Sequence, residues 1–498
     1  MPSEAPFSHL LKLEGDQITE AGRPVLLKGI GVAGWLNLEN WMTGFPGHEQ
    51  GHRDAVAQVL GKERASFFFE RFITHFFDDA DAAFIASLGF NVIRIPFHYR
   101  FFEDDDRPFE IKESGFAHLD RAIETCGRHG VRVILDLHTL PGWQNQDWHC
   151  DNPSHLATFW QHRHFQDRAV NLWRAIAGHY RGDARVAGYT PINEPADPSE
   201  QVYARFSRHI VAQIRDVDPD HIIIVEGNRY AHEFDALGDA LPNVLYSFHD
   251  YPPPAFMRGA RYPGYTHLMQ VWASTDGQSH EHGLLMPGDS RDQYFDKSTV
   301  ERGFCQRSEY MTRTGTPVFV GEFNAIFTGD PVTDSERLTL LGDQFDIYAK
   351  YSASWSFWPY KDIGMCAPVM VDPDSAWMRR IRPALEKKQR LGVDQWGGNH
   401  DQIMDVMGPL KDLFAREFPS YSPFPFGSDF VIDRLVPQIL FAEAMQPDFA
   451  ECFRDMTEEE IDEMMRSFRL ENCAIRQPLA DLLRRACQQE LPRPAETR

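Results

Sequence analysis

Residues 119–138 read LDRAIETCGRHGVRVILDLH, an amphipathic segment that runs into a short apolar segment. Gly130 marks the end of the predicted helix, and the strand VRVILDLH (131–138) is largely apolar rather than alternating. Strands of this kind are typical of parallel sheets whose two faces are both covered. The stretch therefore predicts one helix–strand unit of an α/β protein.

The same alternation recurs along most of the chain. Strands are predicted at 25–32, 90–97, 131–138, 186–193, 222–226, 243–249, 317–322 and 352–358, each next to an amphipathic segment. Eight such units favour a (β/α)8 TIM barrel. A doubly wound open sheet is disfavoured because KGIGVAGW (28–35) opens no helix after the first strand.

The pattern divides the chain into a barrel domain, residues 1–390, and a mostly helical extension, residues 391–498. Thr457 and Glu460 form a predicted capping box in the extension. Two long βα connections, 35–76 and 252–299, lie on the face where barrels carry their active sites. Loops of this length are usually functional, so we expect both to border the site.

Charge and hydropathy restrict the partners. Fifty Lys and Arg against 73 Asp and Glu leave a net charge of −23, which argues against nucleic acid or anionic lipid. No run approaches the 18 apolar residues of a membrane span. The N-terminal sequence lacks the basic and apolar regions of a signal peptide, which predicts a cytoplasmic location.

Polar side chains stand at the predicted carboxyl ends of the strands. They are Arg94, His138, Asn193, Glu194, His249 with the nearby Tyr251, Glu322 and Trp358. Closure of a barrel would bring the ends of its fourth and seventh strands across from one another. We therefore expect Glu194 and Glu322 to face each other across the site.

Two facing carboxyls are what glycoside hydrolysis requires. One must be protonated to serve the leaving oxygen, and the other must be ionised to attack or to activate water. The charge of Arg94 would lower the pKa of a nearby carboxylate, which suits a nucleophile. The Asn193 amide can bind a sugar hydroxyl, and Trp358 offers an apolar platform for the ring.

Ordered motifs carry a family resemblance. They are FNVIRIPF (90–97), VILDLH (133–138), INEP (192–195), SFHDY (247–251), VGEF (320–323) and SFWPYKD (356–362). Together they resemble glycoside hydrolase family 5, a family of retaining (β/α)8 enzymes that need no metal or cofactor. The resemblance implies that Glu194 is the acid/base and Glu322 the nucleophile. It also implies that the other strand-end residues named above bind substrate.

A narrower resemblance concerns two segments. GVAGWLNLENWM (31–42) and LHTLPGWQNQ (137–146) are similar to segments of the exo-β-1,3-glucanase branch of that family. The match implies that Glu39 and Asn145 hold hydroxyls of the terminal sugar. Trp143 replaces a serine of the branch, and a bulky side chain beside the pocket can change which sugar fits.

The predicted function is a retaining β-glycosidase that hydrolyses β-glucosidic bonds, exo-acting on short β-glucans, oligosaccharides or glucosides. Alternatives within the family are a β-mannosidase, a glycolipid-cleaving glycosidase or an endoglucanase. Alternatives of another class are a non-catalytic carbohydrate-binding barrel and a homo-oligomeric assembly through residues 391–498.

Two further features stay open from the sequence. The cluster His149, Cys150, Asp151, His155, His162 and His164 invites a metal interpretation. Its spacing matches no common zinc pattern, so we expect a loop near the substrate entrance instead. Glu226, at the end of the fifth strand, is either a substrate-binding residue or a structural ion-pair partner.

Overall fold

The computed structural model describes residues 7–252, 260–266, 293–393 and 401–489. Its centre is a closed barrel of eight parallel strands. In chain order these are β1 (Lys28–Gly31), β2 (Val92–His98), β3 (Arg132–Thr139), β4 (Val186–Thr190), β5 (Ile222–Glu226), β6 (Val244–His249), β7 (Val318–Glu322) and β8 (Ser354–Phe357). The predicted TIM barrel is confirmed, and each predicted strand overlaps the observed one.

The strands form because almost every residue in them is buried. All of β2 and β3 is enclosed, and the two pair in parallel from Val92 opposite Arg132 to His98 opposite Thr139. An N-terminal hairpin of Leu11–Glu14 and Gln17–Glu20, not predicted from the sequence, packs Leu11 and Ile18 against side chains of the barrel strands. Apolar burial on this scale is the main stabilising contribution to such a fold.

Helices follow the strands around the barrel. They are Asn40–Thr43, Glu49–Leu60, Lys62–Phe76 and Asp79–Ser87 after β1; Phe116–Arg128 after β2; Arg163–Tyr180 after β3; Gln201–Arg215 after β4; Lys297–Arg307 and Glu309–Thr314 after β6; Pro331–Lys350 after β7; and Ala376–Leu391 after β8. A short turn with left-handed residues, Asn228–Ala231, follows β5. Within the described residues, no helix is long and apolar enough to cross a membrane.

Of the two long connections, only the first lies fully within the described residues. Residues 35–76 are largely helical, because FFFERFITHF places Phe68, Phe72 and Phe76 on one buried face, so the expectation of a structureless loop was wrong. Most of the second connection, 252–299, lies outside the described residues.

The C-terminal region is mostly helical, as predicted. Its helices are Met404–Glu417, Gly427–Asp433, the π-helix Arg434–Phe441, Ala442–Glu451, Glu458–Met465 and Gln477–Gln488. The capping box of Thr457 and Glu460 is present. Strand Cys473–Ile475 pairs antiparallel with Val369–Val371, which follows the barrel. The domain boundary at residue 390 stays a prediction.

Lys361 links the barrel to this C-terminal region. Its fully buried ammonium donates to Asp81 Oδ1 at 2.8 Å and to the carbonyls of Phe76 at 2.6 Å and Phe468 at 2.7 Å. Replacing it by methionine leaves the buried Asp81 carboxylate without its cation and removes a donor from two carbonyls. We expect Lys361→Met to lower the free energy of unfolding by about 3–5 kcal/mol, measured by denaturant titration.

The matched control is Lys350→Met. That lysine pairs with Glu301 at the surface, where its side chain is 59% exposed. Exposed ion pairs contribute less than about 1 kcal/mol, so this variant should unfold almost like the parent. Equal losses in the two variants would contradict a stabilising role for the buried contact.

Candidate active site

The carboxyl-terminal ends of the strands converge on one buried cluster. The structure brings together all of the residues expected there: Glu39, Arg94, His138, Asn145, Asn193, Glu194, His249, Tyr251, Glu322 and Trp358. Most are buried, although the Glu194 side chain retains 12% exposure. The cluster is therefore an enclosed polar site with limited access to solvent.

Glu194 and Glu322 face each other across this site. One carboxylate oxygen of each, together with one nitrogen of His249, lies within 4.8 Å of the others. Carboxyls about 5–5.5 Å apart can act on opposite sides of one anomeric carbon, whereas about 6.5–9.5 Å leaves room for a water between them. The separation therefore fits attack by a carboxylate better than attack by an intervening water.

Two hydrogen-bond donors and one imidazole surround Glu322 at the end of β7. Arg94 Nη1 donates to its Oε1, and the Tyr251 hydroxyl donates to Oε2 at 2.6 Å. His249 Nδ1 lies 3.5 Å from Oε2. Donors on both oxygens fix the direction of the carboxylate.

Glu194 follows β4 with φ of +45°, a left-handed conformation uncommon for a residue with a side chain. Its backbone N–H donates to Glu226 Oε2 at 2.8 Å, which secures this turn. The carboxylate lies 2.6 Å from His249 Nδ1 through Oε1, and 3.1 Å from His149 Nε2 through Oε2. The turn thus directs the carboxylate between two imidazoles.

These imidazoles set the ionisation of Glu194. Burial by itself raises the pKa of the carboxyl, but the charge of His249 and the hydrogen bonds from both histidines outweigh it and hold the pKa of Glu194 well below its usual range. The free site therefore keeps Glu194 ionised. Before it could donate a proton, Glu194 would have to gain one from a neighbouring group or from solvent, to which 12% of its side chain is exposed.

Arg94 is the central cation. Its guanidinium, 1% exposed, donates to Asn193 Oδ1 at 2.6 Å and lies 3.1 Å from both Asp136 Oδ2 and Glu226 Oε1. Burial opposes its charge, but Asp136, Glu322 and Glu226 raise the pKa of Arg94 above its ordinary value. A buried cation surrounded in this way stays charged and holds the anions in place.

Two carboxylates complete the framework. Glu226, which the sequence left open, contacts Arg94, the backbone of Glu194 and His249 Nε2 at 3.2 Å, so it is an ion-pair partner inside the site. Asp136, which sequence reasoning missed, is fully buried on β3 and lies 2.8 Å from His138 Nδ1. The sequence signal that could have identified Asp136 is its position two residues before the strand-end His138.

An aromatic wall borders the carboxylates. Trp358 stacks on His138 with ring centroids 5.4 Å apart and belongs to an apolar cluster with Trp41, Trp148 and Ile326. The Trp41 indole donates to Glu39 Oε2 at 2.7 Å. Such a surface beside polar groups suits a sugar ring, which has apolar faces and polar edges.

His138 stays protonated in this wall. Burial lowers its pKa, but Asp136 on one side and Glu39 on the other reverse the effect and raise the pKa of His138 to about 10. The Glu39 Oε1 lies 3.6 Å from His138 Nε2.

Asn145 is largely occupied by the protein itself. Its Nδ2 donates to the Glu194 carbonyl at 3.0 Å, and its Oδ1 accepts from the Asp147 backbone at 3.0 Å. The role expected for Asn145 with a sugar hydroxyl stays a prediction.

The histidine-rich segment near residue 150 divides among separate contacts. His149 lies against Glu194, whereas Asp151 accepts from the Arg100 guanidinium at 2.8 Å and contacts His48 and His98. The segment thus belongs to the wall of the site. Its residue types suggested a site, but the sequence did not show that His149 would reach Glu194.

The Tyr251 hydroxyl provides a direct test of how Glu322 is held. Tyr251→Phe removes one hydrogen bond to a charged group, worth about 1.5–3 kcal/mol. We expect kcat to fall roughly 10- to 100-fold, measured with an aryl glycoside. Tyr180→Phe is the control, because that hydroxyl donates to Asp120 at 2.9 Å far from the site. A similar loss in both variants would argue against a role for Tyr251 in the reaction.

Known proteins are similar to this chain along most of its length. A family model described as cellulase (glycosyl hydrolase family 5) matches residues 61–364. The chain is 40% identical over 491 residues to a protein named beta-xylosidase from Phanerodontia chrysosporium, covering 95% of this chain and 97% of that protein.

Two further similarities are more limited. The chain is 30% identical over 205 residues to a probable glucan 1,3-beta-glucosidase A from Aspergillus clavatus, covering 39% of this chain and 48% of that protein. A crystal structure of an endogalactoceramidase aligns with a TM-score of 0.49 at 18% identity, covering 76% of this chain and 78% of that chain.

Proposed function

This chain belongs to glycosyl hydrolase family 5, and on that premise we propose that it is an exo-acting, retaining β-glycosidase. It is a glycoside hydrolase that acts on β-glycosidic bonds. Glu322 is the nucleophile and Glu194 the acid/base. The observation that carries the proposal is the pair of carboxylate oxygens within 4.8 Å of one another.

The reaction runs in two displacements. Glu322 attacks the anomeric carbon while Glu194 delivers a proton to the departing glycosidic oxygen, which leaves a covalent glycosyl-enzyme. Glu194 then takes a proton from water, and the water oxygen displaces Glu322. Arg94 and Tyr251 hold the nucleophile in line throughout.

The enclosed site supports exo action. C-terminal residues cover the loop after β3: the Trp148 indole donates to Gln438 Oε1 at 3.0 Å, and Arg434 Nη2 donates to Asp147 Oδ2 at 3.0 Å. Walls on this side would favour a terminal sugar over the interior of a long chain. A cytoplasmic location, where only small glycosides would be met, stays a prediction.

Two sugars are candidates for the glycone. β-Glucosides are supported by the segments around Glu39 and Asn145 and by the similarity to a probable glucan 1,3-beta-glucosidase A. β-Xylosides are supported by the similarity to a protein named beta-xylosidase, which extends through the C-terminal region. The two sugars differ by one hydroxymethyl group, which a pocket discriminates by about 10- to 200-fold.

A substrate panel tests the proposal. We expect release of a single sugar from 4-nitrophenyl β-D-glucoside or β-D-xyloside, and from the matching disaccharides, with at least tenfold preference for one of them. The β-D-mannoside and long β-1,4-glucan serve as comparisons. Activity confined to the polymer would overturn exo action, and activity confined to the mannoside would overturn both candidate sugars.

A further inference from the structure

Two imidazoles lie beside Glu194. His149 is at hydrogen-bonding distance from that carboxylate alone, whereas His249 also lies near Glu226 and Glu322. Its Nε2 lies 3.1 Å from Glu194 Oε2 and 2.9 Å from Asn145 Nδ2. A ring nitrogen has either one hydrogen or one lone pair. It therefore pairs with Glu194 when it is protonated and with Asn145 when it is not.

The amide of Asn145 is fixed in the orientation this requires. Its Oδ1 accepts from the Asp147 backbone and from the Cys150 thiol, both at 3.0 Å, so the oxygen cannot turn toward the imidazole. The nitrogen donates to the Glu194 carbonyl with one hydrogen, and its second hydrogen faces His149. The second hydrogen of the Asn145 amide is thus in place to donate to the neutral imidazole of His149.

The remaining neighbours of His149 hold its proton less firmly than those of His249. Asp147, His138 and Tyr230 face the ring, and only Glu194 is a carboxylate in direct contact. Burial lowers the pKa of His149, but Glu194 and Asp147 raise it above its ordinary value. By contrast His249 lies within 3.5 Å of three carboxylates, Glu194, Glu226 and Glu322, which bind its proton far more firmly.

The protein holds His149 in place from two directions. The residue lies in a short turn, Trp148–Cys150, that ends at Asp151, which is anchored by His48, His98 and Arg100. From the other side, the C-terminal π-helix contacts the two preceding residues through Gln438 and Arg434. π-Helical turns are rare and frequently occur at functional sites.

We infer that His149 stores the proton that Glu194 delivers to the leaving group. This inference rests on the proposed function. The Nε2–H bond breaks as an O–H bond forms on Glu194 Oε2, and the vacated lone pair accepts from Asn145 Nδ2. Glu194 then protonates the glycosidic oxygen as its bond to the anomeric carbon breaks. In the second displacement the proton taken from water returns through Glu194 to His149.

His149 acts through Glu194, so it is a positioning residue for the proton, and its test compares leaving groups. We expect His149→Gln and His149→Ala both to lower kcat/KM for an alkyl β-glycoside about 100-fold. Both should retain kcat/KM for the 2,4-dinitrophenyl glycoside within about threefold, because that leaving group needs no proton. Glutamine keeps a hydrogen-bond donor but cannot store a proton, so His149→Gln should lose as much kcat/KM for the alkyl glycoside as His149→Ala.

The pH profile gives a second readout. A proton on His149 is available until the pH rises through the raised pKa of its imidazole, which sets the alkaline limb of kcat/KM for alkyl glycosides. Without His149 the acid form depends on Glu194 alone. Loss of His149 removes part of what lowers the pKa of that carboxyl, but the charge of His249 still opposes its protonation, so the limb should move to lower pH. His52→Ala is the control, because this buried histidine stacks on Phe45 outside the site.

The possible outcomes distinguish the inference about His149 from the proposed glycosidase function. His52→Ala should lower the melting temperature without changing the preference between leaving groups or the alkaline limb. If His149→Gln keeps the wild-type leaving-group dependence and the wild-type alkaline limb of kcat/KM, His149 does not store the proton. The same conclusion follows if both substrates slow equally in His149→Ala. If the wild-type enzyme turns over neither substrate, the proposed function itself fails.

Discussion

Replacing Glu322 by alanine should lower kcat on the order of 10^5-fold, because the covalent route loses the group that forms the bond. The positive charge of Arg94 and the hydroxyl of Tyr251 would remain, facing an empty space in place of their acceptor. Residual turnover would then depend on binding and on Glu194. The direct measurement is the mass of the protein after reaction with a 2-fluoro glycoside. The wild type should gain one sugar, and Glu322→Ala should gain none.

A matched control is Glu301→Ala, which removes a surface carboxylate paired with Lys350. It should keep kcat within about twofold, since exposed ion pairs contribute little to stability. Retention of more than about 1% of the activity in Glu322→Ala would contradict its assignment as nucleophile. So would a sugar adduct that forms on the variant as readily as on the wild type.

The barrel was predictable because its signals are local. Short apolar segments such as 131–138 and 222–226 must be buried on both faces, and a helix beside each one supplies the cover. The polar residues that interrupt these segments at their carboxyl ends then fall on one face of the closed barrel. That rule predicts Glu194 and Glu322 as facing residues of the site.

His149 illustrates what the sequence could not show. Its position depends on Asp151, on residues of the connection after β1, and on Arg434 and Gln438, which lie almost 290 residues away along the chain. No periodicity encodes such contacts. The segment was recognised as rich in histidine, but only the folded loop shows that one of these side chains reaches the acid/base.

The connection after β1 shows a different limit. Residues 35–76 are predicted as a long connecting loop. Helix Lys62–Phe76 forms there because its phenylalanines pack against C-terminal side chains, including Phe453 and Phe468. Its stabilising partners come from the far end of the sequence, so a local pattern could not identify its role.

The role of Glu194 should appear as a strong dependence on the leaving group. Glu194→Gln keeps the size and one hydrogen-bonding oxygen of the side chain but removes the transferable proton. We expect kcat/KM for an alkyl β-glycoside to fall about 10^3- to 10^4-fold, while kcat/KM for the 2,4-dinitrophenyl glycoside falls less than about tenfold. Stopped-flow measurement with the activated substrate should show a burst, because the glycosyl-enzyme forms faster than water can remove it.

The products formed with azide identify the roles of the two carboxylates without a rate measurement. In Glu194→Gln the nucleophile is intact, so azide should replace the water that can no longer be deprotonated, accelerate turnover and give the β-glycosyl azide. In Glu322→Ala azide occupies the space of the missing nucleophile and attacks the substrate directly, which should give the α-glycosyl azide. The same anomer from both variants would contradict the assignment, because two carboxylates on opposite sides of one anomeric carbon must produce opposite configurations when each is removed in turn.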